Sequence, residues 1–382
     1  MKTKNVSLLL AAGLLATPGL VSAAENWDAA VGQVNALTTA VKAQAKTVAA
    51  PAAPTPARDH RQQNELDDAL LKETGRGNID QVQALLAQGA NPQTERGDGT
   101  TPLMLTASSD FADVAAALLK RGAFVNTRNN MGDTALMYAA QAGAVDIIHM
   151  LLSAPGIKVD LGNTDGDTAF LFACGAGQTD AVKVLAEFGK SDVNRHFAKP
   201  DEACLPYSLE KSDWNTAAAV LDAGADPSAP DLYGKLPIMT AAEQNQPALV
   251  DKLLARGADP RAVLYRNDVL YFALTCQSGP CPGIVGTLIK AGADGNKVQE
   301  MCVYYNESCE ITPLIYAISR AQVDVAQSLI DAGVDVNGRD SIKNRTALGW
   351  TTYLEAQEAK EPATVQKLRQ IEGMLRSRGA QP

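Results

Sequence analysis

The sequence predicts an all-α fold, a solenoid of about nine helix-turn-helix repeats joined by hairpin-like loops. Three observations lead to this prediction. A Gly-Ala-Asp ending or a close variant returns about every 33 residues, a Thr-Pro-Leu start or a close variant precedes the endings, and pairs of leucine or isoleucine lie between them. Each unit is too short to bury its own apolar face, so neighbouring units must cover one another.

The endings fix the period of the repeat. They lie at 89–91, 122–126, 224–226, 257–259, 292–294 and 333–337. The glycine of each ending supplies the left-handed conformation that closes a helix. Because a solenoid grows in one dimension around one continuous core, the 382 residues do not require several globular domains.

The starts fix the first, inner helix of each repeat. They lie at 101–103, 134–136, 168–170, 236–238, 312–314 and 346–348. Threonine caps a helix and proline is tolerated in the first turn, where no amide donor is needed. In the second helix of the third repeat, Ile148, Leu151 and Leu152 have the i, i+3, i+4 spacing of one buried stripe.

Together these positions resemble the ankyrin repeat family, whose pattern is Thr-Pro-Leu-His, two small residues, a Gly, a Leu-Leu pair and a Gly-Ala-Asp ending. The resemblance covers about Leu66 to Ala380. It implies a concave surface, made by the hairpin tips and the inner helices, that binds protein partners.

The chain departs from the family pattern at the motif histidine. That position holds apolar residues, namely Met104, Met137, Leu171, Met239 and Ile315. The family uses this histidine for a hydrogen bond that ties neighbouring repeats together. We therefore expect the repeats to be joined more by apolar packing.

Three repeats are expected to be irregular. The fifth, starting at Ala203–Pro206, keeps mainly the second half of the pattern, so its inner helix is expected to start late or to be irregular. The eighth carries an insertion at 297–311. The ninth is lengthened between Tyr353 and Gln366, which is typical of a terminal capping repeat. The repeat domain is predicted over 62–382.

The first residues, 1–23, have the order of a secretory signal peptide. Lys2 and Lys4 precede the apolar run Val6–Leu15, and small residues end at a predicted cleavage site after Ala23. The apolar run is shorter than the ~20 residues that span a bilayer. The sequence therefore predicts an exported protein, in the periplasm, with no membrane span.

Residues 24–61 divide into two predicted parts. Val31, Val34, Leu37 and Val41 recur at helical spacing, which predicts an amphipathic helix followed by a Pro/Ala linker at 50–56. This arm either docks a partner or the repeats, or is a weakly ordered leader.

Charge and motifs exclude several classes of function. The net charge is −9, and loss of Lys2 and Lys4 with the leader takes it to −11, which disfavours nucleic acid. The histidines, His60, His149 and His196, form no catalytic constellation with a nucleophile, and no phosphate-binding glycine loop is present. We therefore expect no enzyme, no cofactor, no metal site and no small-molecule substrate.

Six cysteines in an oxidising compartment predict disulfides. Cys276 and Cys281 flank an extra turn, and Cys302 and Cys309 lie within the insertion, so each pair is expected to close a short loop. A zinc site made by these four thiols is disfavoured because both spacings exceed the usual two to four residues.

The remaining cysteines, Cys174 and Cys204, are either paired or buried thiols. In ideal register they lie five positions apart along neighbouring inner helices, an offset of about 7.5 Å that exceeds the separation a disulfide tolerates. Only an irregular fifth repeat allows this bond.

The resemblance places a partner surface at the hairpin tips, acidic in the first half and rich in tyrosine in the second. Tyrosine is an efficient interface anchor, whereas turn aspartates often only shape the backbone. The predicted contact residues are Met131, Asp133, Asp165, Asp167, Leu232, Tyr233, Lys235, Tyr265, Arg266, Tyr304, Tyr305 and Glu307.

The sequence thus predicts an exported protein-binding solenoid that catalyses nothing. Its first predicted role is an inhibitor or immunity-type protein that occludes a cell-envelope-acting protein. The alternative is a periplasmic scaffold or chaperone for an exported enzyme, such as an oxidative-stress enzyme. Fold does not decide between them.

Overall fold

A computed structural model of the chain describes residues 60–199, 201–276, 279–300, 310–340, 343–357 and 361–382. The predicted signal peptide lies outside the described residues, as does the predicted arm up to residue 59. Residues 63–382 form one compact unit.

The described residues contain a succession of helix pairs with two short hairpins between them. In chain order the elements are α1 (His60–Thr74), α2 (Ile79–Gln88), α3 (Pro102–Ser108), α4 (Ala112–Lys120), α5 (Ala135–Ala142), α6 (Val145–Leu152), α7 (Ala169–Gly175), α8 (Thr179–Glu187), α9 (Cys204–Glu210), α10 (Trp214–Asp222), α11 (Pro237–Glu243), α12 (Pro247–Ala255), β1 (Val263–Leu264), β2 (Asn267–Asp268), α13 (Val269–Leu274), α14 (Pro282–Ala291), β3 (Gln299–Glu300), β4 (Glu310–Ile311), α15 (Pro313–Ser319), α16 (Val323–Asp331), α17 (Ala347–Gln357) and α18 (Pro362–Ser377).

The helices stack in two layers. From α3 to α17 the first helix of each pair packs against the first helix of the next, and the second helices pack together in the same way from α2 to α18. This arrangement confirms the predicted all-α solenoid. Among the described helices, none combines the length and the apolar character needed to cross a bilayer.

The inner helices begin where the threonine starts predict. The hydroxyls of Thr101 and Thr134 accept hydrogen bonds from the backbone N–H groups of Met104 and Met137, at 3.3 and 3.4 Å. In return, the sulfur atoms of Met104 and Met137 accept from the N–H groups of the two threonines, at 3.5 and 3.4 Å. In these two repeats methionine thus completes the cap at the position of the motif histidine.

The core runs between the two layers and is almost entirely apolar. Leu136 and Met137 of α5 and Ile147 and Leu151 of α6 are fully buried. Burial of one such side chain contributes about 1.5 to 3 kcal/mol. The same positions are filled in successive pairs, so the core is continuous along the stack.

Neighbouring repeats are also joined by a ladder of polar bonds, in addition to the apolar packing between them. In each rung, a side-chain oxygen near one ending accepts from a backbone N–H near the next. The rungs are Gln93 to Phe124 (2.9 Å), Asn126 to Lys158 (2.9 Å), Asn194 to Asp226 (2.8 Å), Asn296 to Asp335 (2.7 Å) and Asn337 to Gln381 (2.7 Å).

The fifth pair departs from the regular register. A bridge between His196 and Ala203 precedes α9, and Cys204, the first residue of α9, forms a disulfide with Cys174 of α7. Their Cα atoms are 5.9 Å apart, less than the offset that ideal register requires. The geometric objection to this bond therefore fails, because α9 does not keep the regular register.

The second disulfide joins Cys276 to Cys281, as predicted, and closes the extra turn before α14. This bond rules out the four-thiolate zinc site. Cys302 and Cys309 lie outside the described residues. The insertion at 297–311 begins and ends as a small antiparallel hairpin, in which Gln299 pairs with Ile311.

Candidate protein-binding surface

Three hairpin tips share one pattern of hydrogen bonds, which we call the tip frame: an Asp or Asn side chain accepts from the backbone N–H groups two and four residues later. This pattern determines which side chain projects from the tip. Asp231 Oδ1 accepts hydrogen bonds from the backbone N–H groups of Tyr233 (2.8 Å) and Lys235 (2.9 Å). Asn129 holds Met131 and Asp133 in the same way, and Asn163 holds Asp165 and Asp167. The third residue of each frame is therefore turned outward, and Met131, Asp165 and Tyr233 are all exposed.

A glycine follows the outward residue in each of these frames. At Gly132 φ is +80°, and an added Cβ would lie 2.9 Å from the backbone nitrogen of Thr164 in the next tip. Glycine is needed there for both the left-handed conformation and the close approach. The backbone N–H of Thr164 donates to the carbonyl of Met131 at 2.9 Å, so consecutive tips are fixed to each other.

The largest exposed apolar side chains of the later tips come from three successive repeats. They form what we call the tip surface, consisting of Leu232, Tyr233, Val263, Tyr265 and Val298. Tyr233 and Tyr265 are 79% and 85% exposed. Large exposed apolar side chains concentrated in this way are typical of interaction sites.

Contacts between the repeats bring the tip surface together. Leu264, on the hairpin that carries Tyr265, has its Cδ1 3.8 Å from the Cβ position of Gly234, the neighbour of Tyr233. The same hairpin lies beside the base of the insertion, because β2 and β3 are adjacent. Val263 and Val298 were missed at the sequence level because no repeated position marks them.

Tyr265 lies in a two-residue turn between β1 and β2, with φ at +57°. A left-handed conformation of a non-glycine residue costs about 1 to 2 kcal/mol. The turn thus holds a large aromatic ring outside the core in a conformation that glycine would adopt more easily. Arg266, the other residue of the turn, is also exposed.

Several predicted contact residues have structural partners instead of facing solvent freely. Asp133 is 9% exposed and its Oδ1 accepts from Asn163 Nδ2 at 3.0 Å, so it joins two tips. Asp167 Oδ1 accepts from the backbone N–H of Ala198 at 3.0 Å.

Lys235 also has structural partners: it forms an ion pair with Glu243, and its Nζ lies 5.1 Å from the centroid of the Phe272 ring. Tyr304, Tyr305 and Glu307 lie outside the described residues.

The insertion is anchored to the seventh repeat by a buried polar pair. Gln299 Nε2 donates to Asp268 Oδ1 at 2.7 Å, both side chains are buried, and Lys297 Nζ lies 3.7 Å from the same carboxylate. Asp268 also caps α13 by accepting from the N–H of Leu270. Burial raises the pKa of Asp268, while Gln299 and Lys297 oppose the shift. This pair fixes the insertion beside Tyr265.

A second buried carboxyl, that of Glu202, has no such partners. It is 1% exposed, and no N–H donor reaches its side-chain oxygens. Its carboxyl lies against that of Glu210, and the two can share a hydrogen bond when one of them is protonated. Sequence reasoning missed it because it precedes the irregular α9, where the repeat pattern gives no position to compare.

In the described part of the chain, His149 and His196 lie in separate contacts and do not form a catalytic group with a cysteine. His149 packs against Phe188 at 5.4 Å, and His196 pairs with the exposed Asp201 at 3.1 Å. Cys204 is in a disulfide and is therefore not a nucleophile for His196. Within the described ranges, no three His, Cys, Asp or Glu side chains are grouped to hold a metal ion.

The repeated capped helices and hairpin tips agree with two family matches. A family model described as "Ankyrin repeats (3 copies)" matches residues 70–163, and one described as "Ankyrin repeat" matches 309–341. Ankyrin repeats therefore make up at least these two segments of the chain. Ankyrin repeats are protein–protein interaction modules and generally not enzymes.

A curated protein also resembles part of this ankyrin chain. Ankyrin repeat protein nuc-2 of Neurospora crassa is 29% identical over 136 residues. The aligned segment covers 35% of this chain and 12% of nuc-2. This similarity supports the repeat family and carries nothing further about what this ankyrin protein binds.

Proposed function

We propose that this ankyrin protein is exported and acts by binding another protein at the tip surface. The observation that supports this proposal is that large apolar side chains from three successive repeats project from the tips and do not join the core. An isolated exposed apolar residue needs no explanation, whereas a patch of them is typical of an interface.

Tyr233 and Tyr265 are the proposed anchors. Tyrosine buries much area with few rotatable bonds, so its immobilisation in an interface costs little conformational entropy. Both tyrosines lie in hydrogen-bonded turns. The bond from the Tyr233 N–H to Asp231 fixes the backbone at Tyr233 in the unbound protein. Preorganisation of this kind favours affinity because less order must be created on binding.

The proposed role is to occlude a cell-envelope-acting protein, as an inhibitor or immunity-type protein. The leader at 1–23 supports export, and a broad rigid surface suits the covering of another protein's active face. The alternative is a scaffold or chaperone for an exported enzyme. In that case the bound enzyme would keep or gain activity, whereas an occluded one would lose it.

The test uses affinity capture from a cell-envelope extract, followed by binding measurements with the identified partner. Tyr233→Ala and Tyr265→Ala are each expected to weaken binding by about 2 kcal/mol or more, roughly thirtyfold. Asp165→Ala, at the equivalent outward position of an earlier tip, is the matched control and should bind nearly as the unchanged protein does.

Melting temperatures separate binding from folding. Both tyrosine variants should melt with the unchanged protein, since the rings touch little of the core. Normal binding by both variants would place the interface elsewhere. The partner's own activity, measured with and without the ankyrin protein, then decides between occlusion and support.

A further inference from the structure

The two disulfides of the described residues differ in how far their cysteines are shielded from solvent. Cys174 and Cys204 are 3% and 0% exposed. In the second bond Cys281 is also buried, at 2%, but Cys276 is partly exposed. A thiolate breaks a disulfide by attacking one of its two sulfur atoms, so the reaction depends on access to that atom. Among these four cysteines, Cys276 is therefore the one that offers an incoming thiol a point of attack.

The position of Cys281 favours its release in such an attack. Cys281 is the N-cap residue of α14, and its side chain makes no capping hydrogen bond in the disulfide form. The N-terminus of a helix stabilises a thiolate through its free N–H groups and its dipole. In thiol–disulfide exchange, the better stabilised thiolate leaves faster. Attack at Cys276 thus expels the sulfur that lies at the more favourable position for a negative charge.

Both sulfur atoms also lie beside acceptors that a free thiol can use. Cys276 Sγ is 3.1 Å from the carbonyl oxygen of Ala242 on α11, and Cys281 Sγ is 3.3 Å from that of Gly279. A thiol donates a weak hydrogen bond to a carbonyl, whereas a disulfide sulfur has no hydrogen to donate. The open form therefore has hydrogen-bond partners on the same backbone as the closed form.

The packing of the seventh repeat does not depend on this bond. Leu270 of α13 and Val285 and Leu288 of α14 are fully buried, and they hold the two helices in the stack. The bond between Cys174 and Cys204 differs, because it is buried between two repeats. A thiol reaches that bond only after the two repeats separate.

We propose that the Cys276–Cys281 bond is a thiol-exchange site, at which an incoming thiolate attacks Cys276 Sγ and Cys281 leaves as a thiolate. This inference goes beyond protein binding and assigns the chain a redox-active cysteine pair. The co-reactant is a thiol. The Cys174–Cys204 bond has the contrasting role of a permanent link between repeats.

The exchange is balanced in atoms and electrons. In the first step the bond between Cys276 and Cys281 breaks, and a new S–S bond joins Cys276 to the incoming sulfur. A second thiolate then attacks the incoming sulfur and releases Cys276 as a thiolate. The reagent is oxidised to its disulfide, the cysteine pair gains two electrons, and the two protons of the reagent end on the pair. In the reverse of the first step, the Cys281 thiolate attacks Cys276 Sγ, reforms the bond and expels the incoming thiol.

The test exposes the folded protein to reduced glutathione and, separately, to dithiothreitol. Excess N-ethylmaleimide stops each reaction and marks the free thiols. Trypsin then places Cys276 and Cys281 on the fragment 267–290, while Cys302 and Cys309 fall on 298–320, so the two regions are read separately by mass spectrometry.

Glutathione is expected on Cys276, with N-ethylmaleimide on Cys281 of the same fragment. Dithiothreitol should open the Cys276–Cys281 bond about tenfold or more faster than the Cys174–Cys204 bond, because only the first has an accessible sulfur. Far-ultraviolet circular dichroism should show unchanged helix content once the first bond is open. In urea the two bonds should open at similar rates, since unfolding exposes all four sulfur atoms.

Two variants at Gly283, in the first turn of α14, test the leaving group. A Cβ at this position meets no atom within 4 Å, so a side chain fits. Gly283→Asp is expected to slow glutathione attack by about threefold, because its charge repels the Cys281 thiolate as it leaves. Gly283→Asn, which has the same shape and no charge, is the matched control and should react as the unchanged protein does.

Glutathione found on Cys281, or no adduct at Cys276, would overturn the assigned direction of attack. Equal opening of the two bonds in the folded protein would overturn the exchange site, as would opening that requires unfolding. Equal rates for the Asp and Asn variants would show that the N-terminus of α14 does not assist the leaving group. These measurements need no partner, so their outcome is separate from the tyrosine test of the tip surface.

Discussion

At the scale of single residues, two helix-cap threonines differ in whether the side-chain hydroxyl has a hydrogen bond, and this difference should affect the free energy of unfolding. Thr134 and Thr168 start equivalent inner helices, and both side chains are buried. The Thr134 hydroxyl accepts from the N–H of Met137, whereas the Thr168 hydroxyl has no partner. A satisfied cap stabilises a helix, but a buried hydroxyl without a partner destabilises the fold.

Replacement of each threonine by the isosteric valine should therefore have opposite consequences. Thr134→Val is expected to lower the free energy of unfolding by about 1 kcal/mol, because the cap bond is lost. Thr168→Val is expected to be neutral or stabilising, because the unsatisfied hydroxyl is removed. Urea unfolding of the two variants beside the unchanged protein measures both. An equal loss in the two would contradict the assigned hydrogen bonds.

Glu202 gives a prediction about pH. Its pKa in the folded chain is raised above the ordinary value of 4.5. Between 4.5 and the raised value the folded chain therefore holds a proton that the unfolded chain has lost. Stability consequently falls as the pH rises through this window, and the loss is complete above it.

Glu202→Gln should remove this part of the pH dependence. The variant is expected to be more stable than the unchanged protein at neutral pH, with the difference vanishing below about pH 4.5. Asp268, whose pKa is also raised, contributes equally to both proteins and cancels. Chemical unfolding across the pH range, with the exposed Glu95→Gln as control, measures the effect. Parallel curves for the three proteins would contradict it.

At the scale of elements, the irregular repeats are the ones that carry extra links. The disulfide from α7 to α9 crosses between two repeats, while Asp268 and Gln299 connect the seventh repeat to the insertion. These links lie where the repeat pattern is weakest. They hold elements that regular stacking alone would position less firmly.

The two disulfides should differ in their effect because they close loops of different length. Their cysteines are separated by 30 and 5 residues. Chain entropy then gives about 3.6 kcal/mol for the Cys174–Cys204 bond and about 2 kcal/mol for the Cys276–Cys281 bond. Double replacement of each pair by alanine, followed by chemical unfolding, should reproduce this order. A larger loss for the shorter loop would show that chain entropy is not the main contribution.

At the scale of the whole molecule, the chain combines a predicted leader with a repeat stack that presents its chemistry at one set of tips. Tyr233 and Tyr265 lie on the tips of the sixth and seventh repeats. A partner bound there would meet apolar and aromatic groups together. The proposal of an exported binding protein joins these two features.

Export predicts a defined mature N-terminus. Intact-mass analysis of the protein purified from the cell envelope should find a chain that begins at Ala24 or Glu25. Substitution of Leu9 and Leu10 by arginine should block processing, because it interrupts the apolar run of the leader. Full-length protein in the cytosol of the unaltered strain would contradict export.

The sequence by itself determined the repeated part of this protein. Threonine caps, leucine stripes and glycine endings act within one repeat or between adjacent ones, so their spacing predicts the helices and the outward position of Tyr233. The pairing of Cys276 with Cys281 was also predictable, because both lie in the same short turn.

Only the tertiary structure decided the contacts between irregular segments. The approach of Cys174 to Cys204, the bond from Gln299 to Asp268 and the burial of Glu202 each depend on a register that the pattern does not specify. Side chains about 30 positions apart meet only when one repeat has settled on another. The physical reason is that periodicity fixes which face of a helix is buried, whereas a local shift of one repeat fixes which polar groups find partners.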